Sequence, residues 1–523
     1  MRIKIATLFA TVLLLLTSAS SYSQERLGLT NAWNERLLLT GDSVMHTIWK
    51  PILFYDTASQ KASGTWLQRK AFQEHLLAVE QPGLNIYGDF ISDTYIGRSK
   101  RNLKLANGKE SAKTPTMNSR GVRIFGNAGS KFYFETEFYE NQGKFPGYVD
   151  SFIRVNKVIP GQNNYKNIGD GAGFDYNYSS ARMIYVPSSH FLFDLGYGKN
   201  FIGDGYRSLL LSDWSYNYPY LRIATTWGRI QYSAMWSQYI SDINFSQNNK
   251  LGYYRKWSQT YCLDWKATDK LSISIFESVM WPDQDSLRNK DMSGWLLSPV
   301  MFAHGKNAPS GTPNNAIAGL NLKYKVLPKT NVYGQLIVDQ LGKTSSWKSR
   351  YGFQVGVKSA DVFNVPNLDI TAEYNKVRPY TYASNSLNTN YAHLNTPLAD
   401  PLGANFKEAI GVATYQYKKW WFRGELIIAK YGNDSTSSQN YGHNIFKPID
   451  SRSRDEDVKT GQGLKSDLFF ADLKVAYIIN PKSNLRIETG FTFRNDKNSL
   501  RKFEDRYFYI GLRSSFRNLF YDF

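Results

Sequence analysis

The run Leu473-Lys474-Val475-Ala476-Tyr477-Ile478-Ile479-Asn480-Pro481-Lys482-Ser483-Asn484-Leu485-Arg486-Ile487-Glu488-Thr489-Gly490-Phe491-Thr492-Phe493 decides the fold. Leu473, Val475, Tyr477 and Ile479 alternate with other residues, the chain turns at Asn480 to Asn484, and Leu485, Ile487, Thr489, Phe491 and Phe493 bring it back. Period-two alternation on both sides of a short polar break reads as a β-hairpin. Lys474, Arg486, Glu488 and Arg494 fall on the opposite face. A strand that is apolar on one side and charged on the other suits a wall between lipid and a wet lumen.

The pattern recurs. Leu221, Ile223, Thr225 and Trp227 turn at Gly228-Arg229 into Ile230, Tyr232, Ala234 and Trp236. Tyr261, Leu263 and Trp265 turn at Thr268-Asp269-Lys270 into Leu271, Ile273 and Ile275. Further turns are predicted near Ala128-Gly129, Pro187-Ser188-Ser189, Pro328-Lys329, Asp361 to Pro366 and Lys418-Lys419. Between the hairpins lie longer polar segments near 98–117, 141–172, 199–218, 237–258, 280–315, 339–351, 377–408, 431–466 and 494–505. Short turns alternating with long loops are the mark of an outer-membrane β-barrel, with turns in the periplasm and loops outside. From Asn85 to Phe516 the pattern predicts about eighteen antiparallel strands, an even number that leaves both ends periplasmic. Lys131, Glu135 and Glu137 are predicted to face the lumen, and Phe132, Phe134 and Phe138 the lipid.

Composition agrees. The 36 Tyr, 31 Phe and 13 Trp make 15% of the chain aromatic, yet mean hydropathy is −0.44, because only half of each strand meets lipid. No apolar run reaches the roughly 18 residues of a transmembrane helix. Arg2 and Lys4 precede the apolar run Ile5 to Leu16 and the small polar residues up to Gln24, the layout of a secretory signal peptide, assigned to 1–23. Residues 24–84 read as a periplasmic extension or lumen plug, with an amphipathic helix within Trp66 to Val79 and an isolated strand or turn at Leu37 to Asp42. The barrel is assigned to 85–523. On its last strand Phe508, Ile510, Leu512 and Phe516 are predicted to share one face. The closing Leu519-Phe520-Tyr521-Asp522-Phe523 resembles the signal that hands barrels to the assembly machinery, so its deletion is expected to stall the chain in the periplasm.

Several function classes fall away. Cys262 sits alone inside a strand and reads as a small apolar residue. The six histidines, at 46, 75, 190, 304, 393 and 443, lack zinc-type spacing, so neither metal nor cofactor is expected. The formal charge of +19 favours anionic partners such as lipopolysaccharide phosphates or acidic exopolysaccharide, or simply lines a solvated lumen and rim. An exported chain without a recognition motif gives no case for nucleic acid. His393 and Asp400 share a loop, but no serine elbow accompanies them, and the chain reads as a non-enzyme.

The stretch Gly196-Tyr197-Gly198-Lys199-Asn200-Phe201-Ile202-Gly203-Asp204-Gly205-Tyr206-Arg207-Ser208-Leu209-Leu210-Leu211-Ser212-Asp213 resembles a long motif of RemB-type gliding-motility barrels of Bacteroidetes-like bacteria, relatives of the Wzi family of capsule assembly proteins. Phe138 to Gln142 with Phe145-Pro146, Val158 to Gln162, Phe276 to Trp281, Glu373 to Tyr382 and Pro397 to Phe406 agree, so the resemblance spans roughly 118–410. It departs where a His is expected, at Ala383 and Asp400. The Wzi resemblance implies an outer-membrane lectin that holds exported polysaccharide; the RemB resemblance implies a surface component tied to motility.

The loop from Lys199 to Pro219 carries three consecutive leucines that a solvated loop would not expose, so it is predicted to fold into the barrel mouth. Asp204, Arg207 and Asp213 would follow it into a partly buried cluster. Either these residues only shape a plug, or with Trp214 and Tyr216 they form a saccharide platform in which rings stack on sugars and charges bind hydroxyl and uronate groups. Arg378, Tyr380 and Tyr382 begin another outer loop that either supplies the opposite wall of the mouth or is closed by Pro379, Pro397 and Pro401. Three functions remain: a polysaccharide-binding surface barrel, a motility component and a passive diffusion porin. The apolar loop argues against the open lumen that the last requires.

Overall fold

Side-chain alternation on the strand Phe132–Lys144 separates two solvents. Glu135 and Glu137 point inward to Arg123, at 2.7 and 3.2 Å, while Phe138 is exposed on the outer face and Phe132 and Phe134 share that face by period two. Lys131 departs from the prediction, lying in the preceding turn and exposed. These positions come from a computed structural model that describes residues 26–29, 35–40, 45–56, 62–101, 114–169, 171–242, 254–282, 284–285, 288–289, 298–303 and 315–523. The signal-peptide assignment lies outside the described residues.

Eighteen long strands form one closed antiparallel barrel. They are β1 Leu84–Arg101, β2 Thr116–Ala128, β3 Phe132–Lys144, β4 Gly173–Ser188, β5 Phe191–Gly198 and β6 Tyr218–Trp227. Next come β7 Ile230–Asp242, β8 Tyr254–Lys266, β9 Leu271–Pro282, β10 Asn315–Leu327, β11 Thr330–Gln340 and β12 Arg350–Ser359. The wall ends with β13 Leu368–Val377, β14 Phe406–Tyr417, β15 Trp420–Asn433, β16 Leu464–Asn480, β17 Leu485–Asn498 and β18 Lys502–Arg513. β18 closes the wall on β1, with register from Asp505 opposite Arg101 to Leu512 opposite Thr94.

All the predicted turns lie between paired strands on one rim, and the long connections lie on the other. Outward positions such as Phe90, Leu322, Leu426, Ile428, Leu473, Phe491 and Phe508 remain exposed, and Trp227, Trp265, Trp420 and Tyr477 ring the turn end. A closed wall with an apolar exterior and an aromatic girdle is built to sit in a bilayer. The protein is an integral outer-membrane β-barrel.

Three expectations are corrected. The polar stretch 494–505 is no long loop: β17 and β18 run through it and leave only 499–501 as a turn. There the wall stands above the lipid, so both faces are polar and the hydropathy signal disappears. Phe516 lies beyond the end of β18, inside the lumen with Arg123 5.0 Å from its ring. Leu37 to Thr40 is not a strand or turn but part of a helix, α1 Glu35–Thr40, whose Arg36 pairs with Asp361 and Asp369 at a turn, while Gly41 and Asp42 lie outside the described residues. The predicted short helix within Trp66 to Val79 is present as α2 Trp66–Phe72, with a Thr65 capping box. The chain then pairs Leu77–Gln81 with the start of β1.

The described part of the N-terminal extension is therefore divided. Trp49-Lys50 pairs with Phe201-Ile202 inside the barrel. α2 sits at the turn rim, where Asn480 donates its side-chain amide to the carbonyls of Lys70 and Glu74 at 3.1 and 2.9 Å.

Candidate functional site

Three segments fill the lumen. The loop between β5 and β6 enters first, because Ser208 folds it tightly. The Ser208 hydroxyl donates to the Ile202 carbonyl at 2.5 Å and accepts from the amides of Leu210 and Leu211 at 3.1 and 3.2 Å. Leu209, Leu210 and Leu211 are each 0% exposed, which at roughly 1.5 to 3 kcal/mol per side chain anchors the loop against its lost entropy. Gly205 passes so close to the wall that a Cβ would stand 2.5 Å from Glu373. That approach lets the Glu373 carboxylate accept from the amides of Tyr206 and Arg207 at 2.7 and 3.1 Å.

The loop between β13 and β14 closes over it. The hydroxyls of Tyr382 and Tyr391 donate to the carbonyls of Leu209 and Leu210, both at 2.7 Å, and the amide of Ser212 donates to Leu398 at 2.8 Å. Tyr380 and Tyr382 hold φ of 66° and 71°, a left-handed conformation that costs a non-glycine residue on the order of 1 kcal/mol or more. The surrounding packing compensates, since both tyrosines are buried.

Of the eight predicted site residues, Asp204, Arg207, Asp213, Trp214, Tyr216 and Tyr382 come together in this plug. Asp204 meets Lys323 at 3.0 Å and Asn321 at 2.8 Å. Trp214 packs on Phe152, Phe520 and Phe523, and Tyr216 on Tyr178 and Tyr197. Arg378 and Tyr380 belong to the outer cap instead. Arg378 donates to the carbonyls of Ser349, Thr344 and Val458 at 2.6, 2.8 and 3.1 Å, and Tyr380 to that of Asn440 at 2.9 Å. All eight except Asp213 are buried within the plug or the outer cap.

The sequence reading misses the segment 514–523 and its receptor. After β18 this segment turns up into the lumen. Arg517 binds Asn141 on β3 at 2.7 Å, Ser119 on β2 at 3.1 Å and Gln162 at 2.9 Å, and lies 3.7 Å from Asp93 on β1. Asp522 meets Arg207 at 2.9 Å and Tyr206 at 2.7 Å. The charges of Arg517 and Asp522, set among aromatics beyond the last alternation, were the available signal. Lys199 ties the pieces together, donating to the carbonyls of Gly161 and Asp213 at 2.7 and 3.0 Å with its ammonium 4.4 Å from the Phe520 ring.

Electrostatics in the plug follow burial. Desolvation pulls Lys199 down to about 7 and pushes Asp213 up despite Lys199 nearby. Burial would also raise Asp204, but Lys323 and Lys50 outweigh it and hold the carboxyl below its ordinary value. Burial lowers His393 to about 3. Its Nδ1 accepts from the Ile240 amide at 2.9 Å and its Nε2 lies 3.2 Å from the Asn217 carbonyl, so neither ring nitrogen is placed to activate a nucleophile. Among the described residues no cluster of three or more His, Cys, Asp or Glu is arranged to hold a metal.

Beside the plug the lumen keeps a cavity of about 630 Å³. Arg207, Asp213 and Asp522 look into it from the plug, and Arg123, Arg486 and Glu488 from the wall. The wall charges are compensated in pairs, with Arg486 and Glu488 2.7 Å apart.

No protein-family model matches the sequence, and no curated protein matches it either. Among solved structures the chain is similar to Pseudomonas aeruginosa OprD, at 10% identity and a TM-score of 0.41, covering 85% of this chain and 97% of that one. Pseudomonas aeruginosa OpdQ is similar at 10% identity and 0.40, over 81% and 97%. Acinetobacter baumannii OccAB2 is similar at 10% and 0.40, over 82% and 96%.

Proposed function

We propose that this outer-membrane barrel is a non-enzymatic surface protein that binds or organises anionic surface polysaccharide, in capsule assembly, gliding motility or both, without conducting solutes. The observation that carries the reading is the plug. Leu209 to Leu211, Tyr382, Tyr391, Leu398 and Phe406 form one buried apolar body inside the wall, which leaves the outer loops as the working face. On that face the partly buried Trp347 ring has the Arg452 guanidinium 4.1 Å from its centre, with Lys348 and Arg350 each at 6.0 Å. The guanidinium lies over the ring, so this patch offers a sugar's carboxylates a cation backed by an aromatic side chain, and the chain's charge of +19 draws polyanions towards it. The capsule and motility roles follow from the resemblance to Wzi and RemB barrels.

Pull-down of the organism's own extracellular polysaccharide by the refolded barrel tests the reading. Binding lost in Trp347→Ala supports it, and no retention of polysaccharide overturns it. A passive diffusion channel is the second reading, favoured by the cavity of about 630 Å³ and its facing charged pairs, which would form a vestibule if the plug moved. Large steady conductance of the intact barrel would select that reading.

A further inference from the structure

Charged side chains on the outside of a barrel wall belong where the hydrocarbon ends, because lysine on the lipid face is costly at the midplane and nearly free at the interface. The outward face of β13 to β18 carries one row there: Lys376, Lys407, Lys430, Asp467, Lys497 and Lys502, one residue per strand. Each is the direct cross-strand partner of the next. Lys376 stands eight positions from the turn-side end of β13 at Leu368, and Asp467 thirteen from that of β16 at Asn480. A tilted strand crosses the hydrocarbon in about 9 to 11 residues, so the row marks its outer edge. On the turn side of the row, past the Glu504–Arg506 pair on β18, the same face is apolar and exposed at Leu426, Ile428, Phe469, Phe491 and Phe508.

The arrangement works against the barrel's own stability. Lys376 with Lys407, Lys407 with Lys430, and Lys497 with Lys502 are directly opposed like charges, and such pairs destabilise a sheet. Carboxylates reach two of the cations: Asp467 lies 3.9 Å from Lys430 and Glu504 3.4 Å from Lys502. The side chains of Lys430 and Lys502 are 75% and 61% exposed, so the wall does not use them for packing. Past Lys376 the same register continues as Phe353 and then Leu336, which ends the row at β13 on that side.

We propose that this arc is a binding site for a phosphorylated glycolipid of the outer leaflet. The lysine row pairs with its phosphates, and the apolar face below takes its acyl chains. An anion between opposed lysines turns a repulsive pair into a bridged one. The inference rests on the barrel's place in the membrane and stands whether or not the outer loops bind polysaccharide.

The test is native mass spectrometry of the full-length barrel in detergent with bis-phosphorylated lipid A, with the same lipid dephosphorylated, and with inorganic phosphate as competitor. We expect adducts with the phosphorylated lipid, and more than about a tenfold loss of them in Lys407→Gln/Lys430→Gln/Lys497→Gln, since each cation near an anionic headgroup contributes measurably. Arg255→Gln, at an exposed position on the opposite arc, should retain them. Equal binding of the dephosphorylated lipid, an equal loss in Arg255→Gln, or displacement by millimolar phosphate would each overturn the proposal. Should the triple glutamine variant fail to fold, the triple arginine variant and the wild-type comparison of the two lipids decide: the arginine form must keep the phosphate preference.

Discussion

Arg207 and Asp522, 315 positions apart in the chain, meet at 2.9 Å inside the barrel, and the pair joins an outer loop to the segment that follows the last strand. Both side chains are buried. Removing one partner of such a pair leaves the other charge uncompensated, at a cost of about 3 to 5 kcal/mol in a dry interior. The adjoining cavity lowers that figure here. Arg207→Met is therefore expected to loosen the plug while the wall stays intact, read as frequent opening events in planar-bilayer recording beside an unchanged heat-modifiable gel shift. A silent membrane would mean that the pair does not hold the plug.

The leucine run gives a second prediction. The intact barrel should conduct ions poorly, and deletion of 208–212 should raise conductance to a stable open level, because the turn built on Ser208 and three fully buried leucines disappear together. Wild type and deletion giving the same large conductance would identify an open pore.

A third concerns the segment 514–523. The alternation of Phe508, Ile510 and Leu512 predicts a continuing lipid face at Phe516, and a closing aromatic run that serves as an assembly signal. The structure ends β18 at Arg513 and turns Leu519 to Asp522 towards the cavity. Deleting 519–523 leaves every strand whole, so truncated protein that reaches the outer membrane is expected to increase uptake of a small hydrophilic antibiotic, and uptake at the wild-type level per inserted barrel would count against a plug role. Accumulation of the truncated chain in the periplasm is the outcome expected if the segment also serves assembly.

His393 supplies a pH dependence. Its pKa is lowered from 6.5 to about 3 by burial, so between those values the unfolded chain binds a proton that the folded one refuses. Stability should thus fall with pH below about 6.5, by up to roughly 1.4 kcal/mol per unit from this group. Urea-unfolding midpoints from pH 7 to 4 check this: the fall should be shallower in His393→Gln, and parallel curves would count against it.

The wall was legible in the sequence because lipid imposes one rule on every strand. Leu473 to Phe493 reads as a hairpin without reference to any distant residue. Burial of Leu209 to Leu211 was legible for a related reason, since three leucines on an outer loop need a surface. Their partners were not. Glu373, Tyr382 and Asp522 come from separate parts of the chain, and local pattern carries no record of contacts over 167, 173 or 315 positions. The segment 514–523 was misread because Phe516 and Phe520 look alike whether they meet lipid or a plug. Which of the two readings holds for Arg378 and Tyr380 was not legible, as nothing in their surroundings separates a lumen contact from a cap contact with Ser349 or Asn440.

The reach of Arg517 has a mechanical meaning. A barrel sewn from one chain has a single seam where its first and last strands meet, and there alone the wall can part sideways without breaking a hairpin. Arg517 follows the last strand yet grips β1, β2 and β3 from within, while Ser515 donates to Asp93 across the same line at 2.5 Å. The seam is riveted on its inner side, and unzipping it requires pulling the rivet out first. A lipid-borne molecule has no lateral exit from this lumen while the rivet is in place.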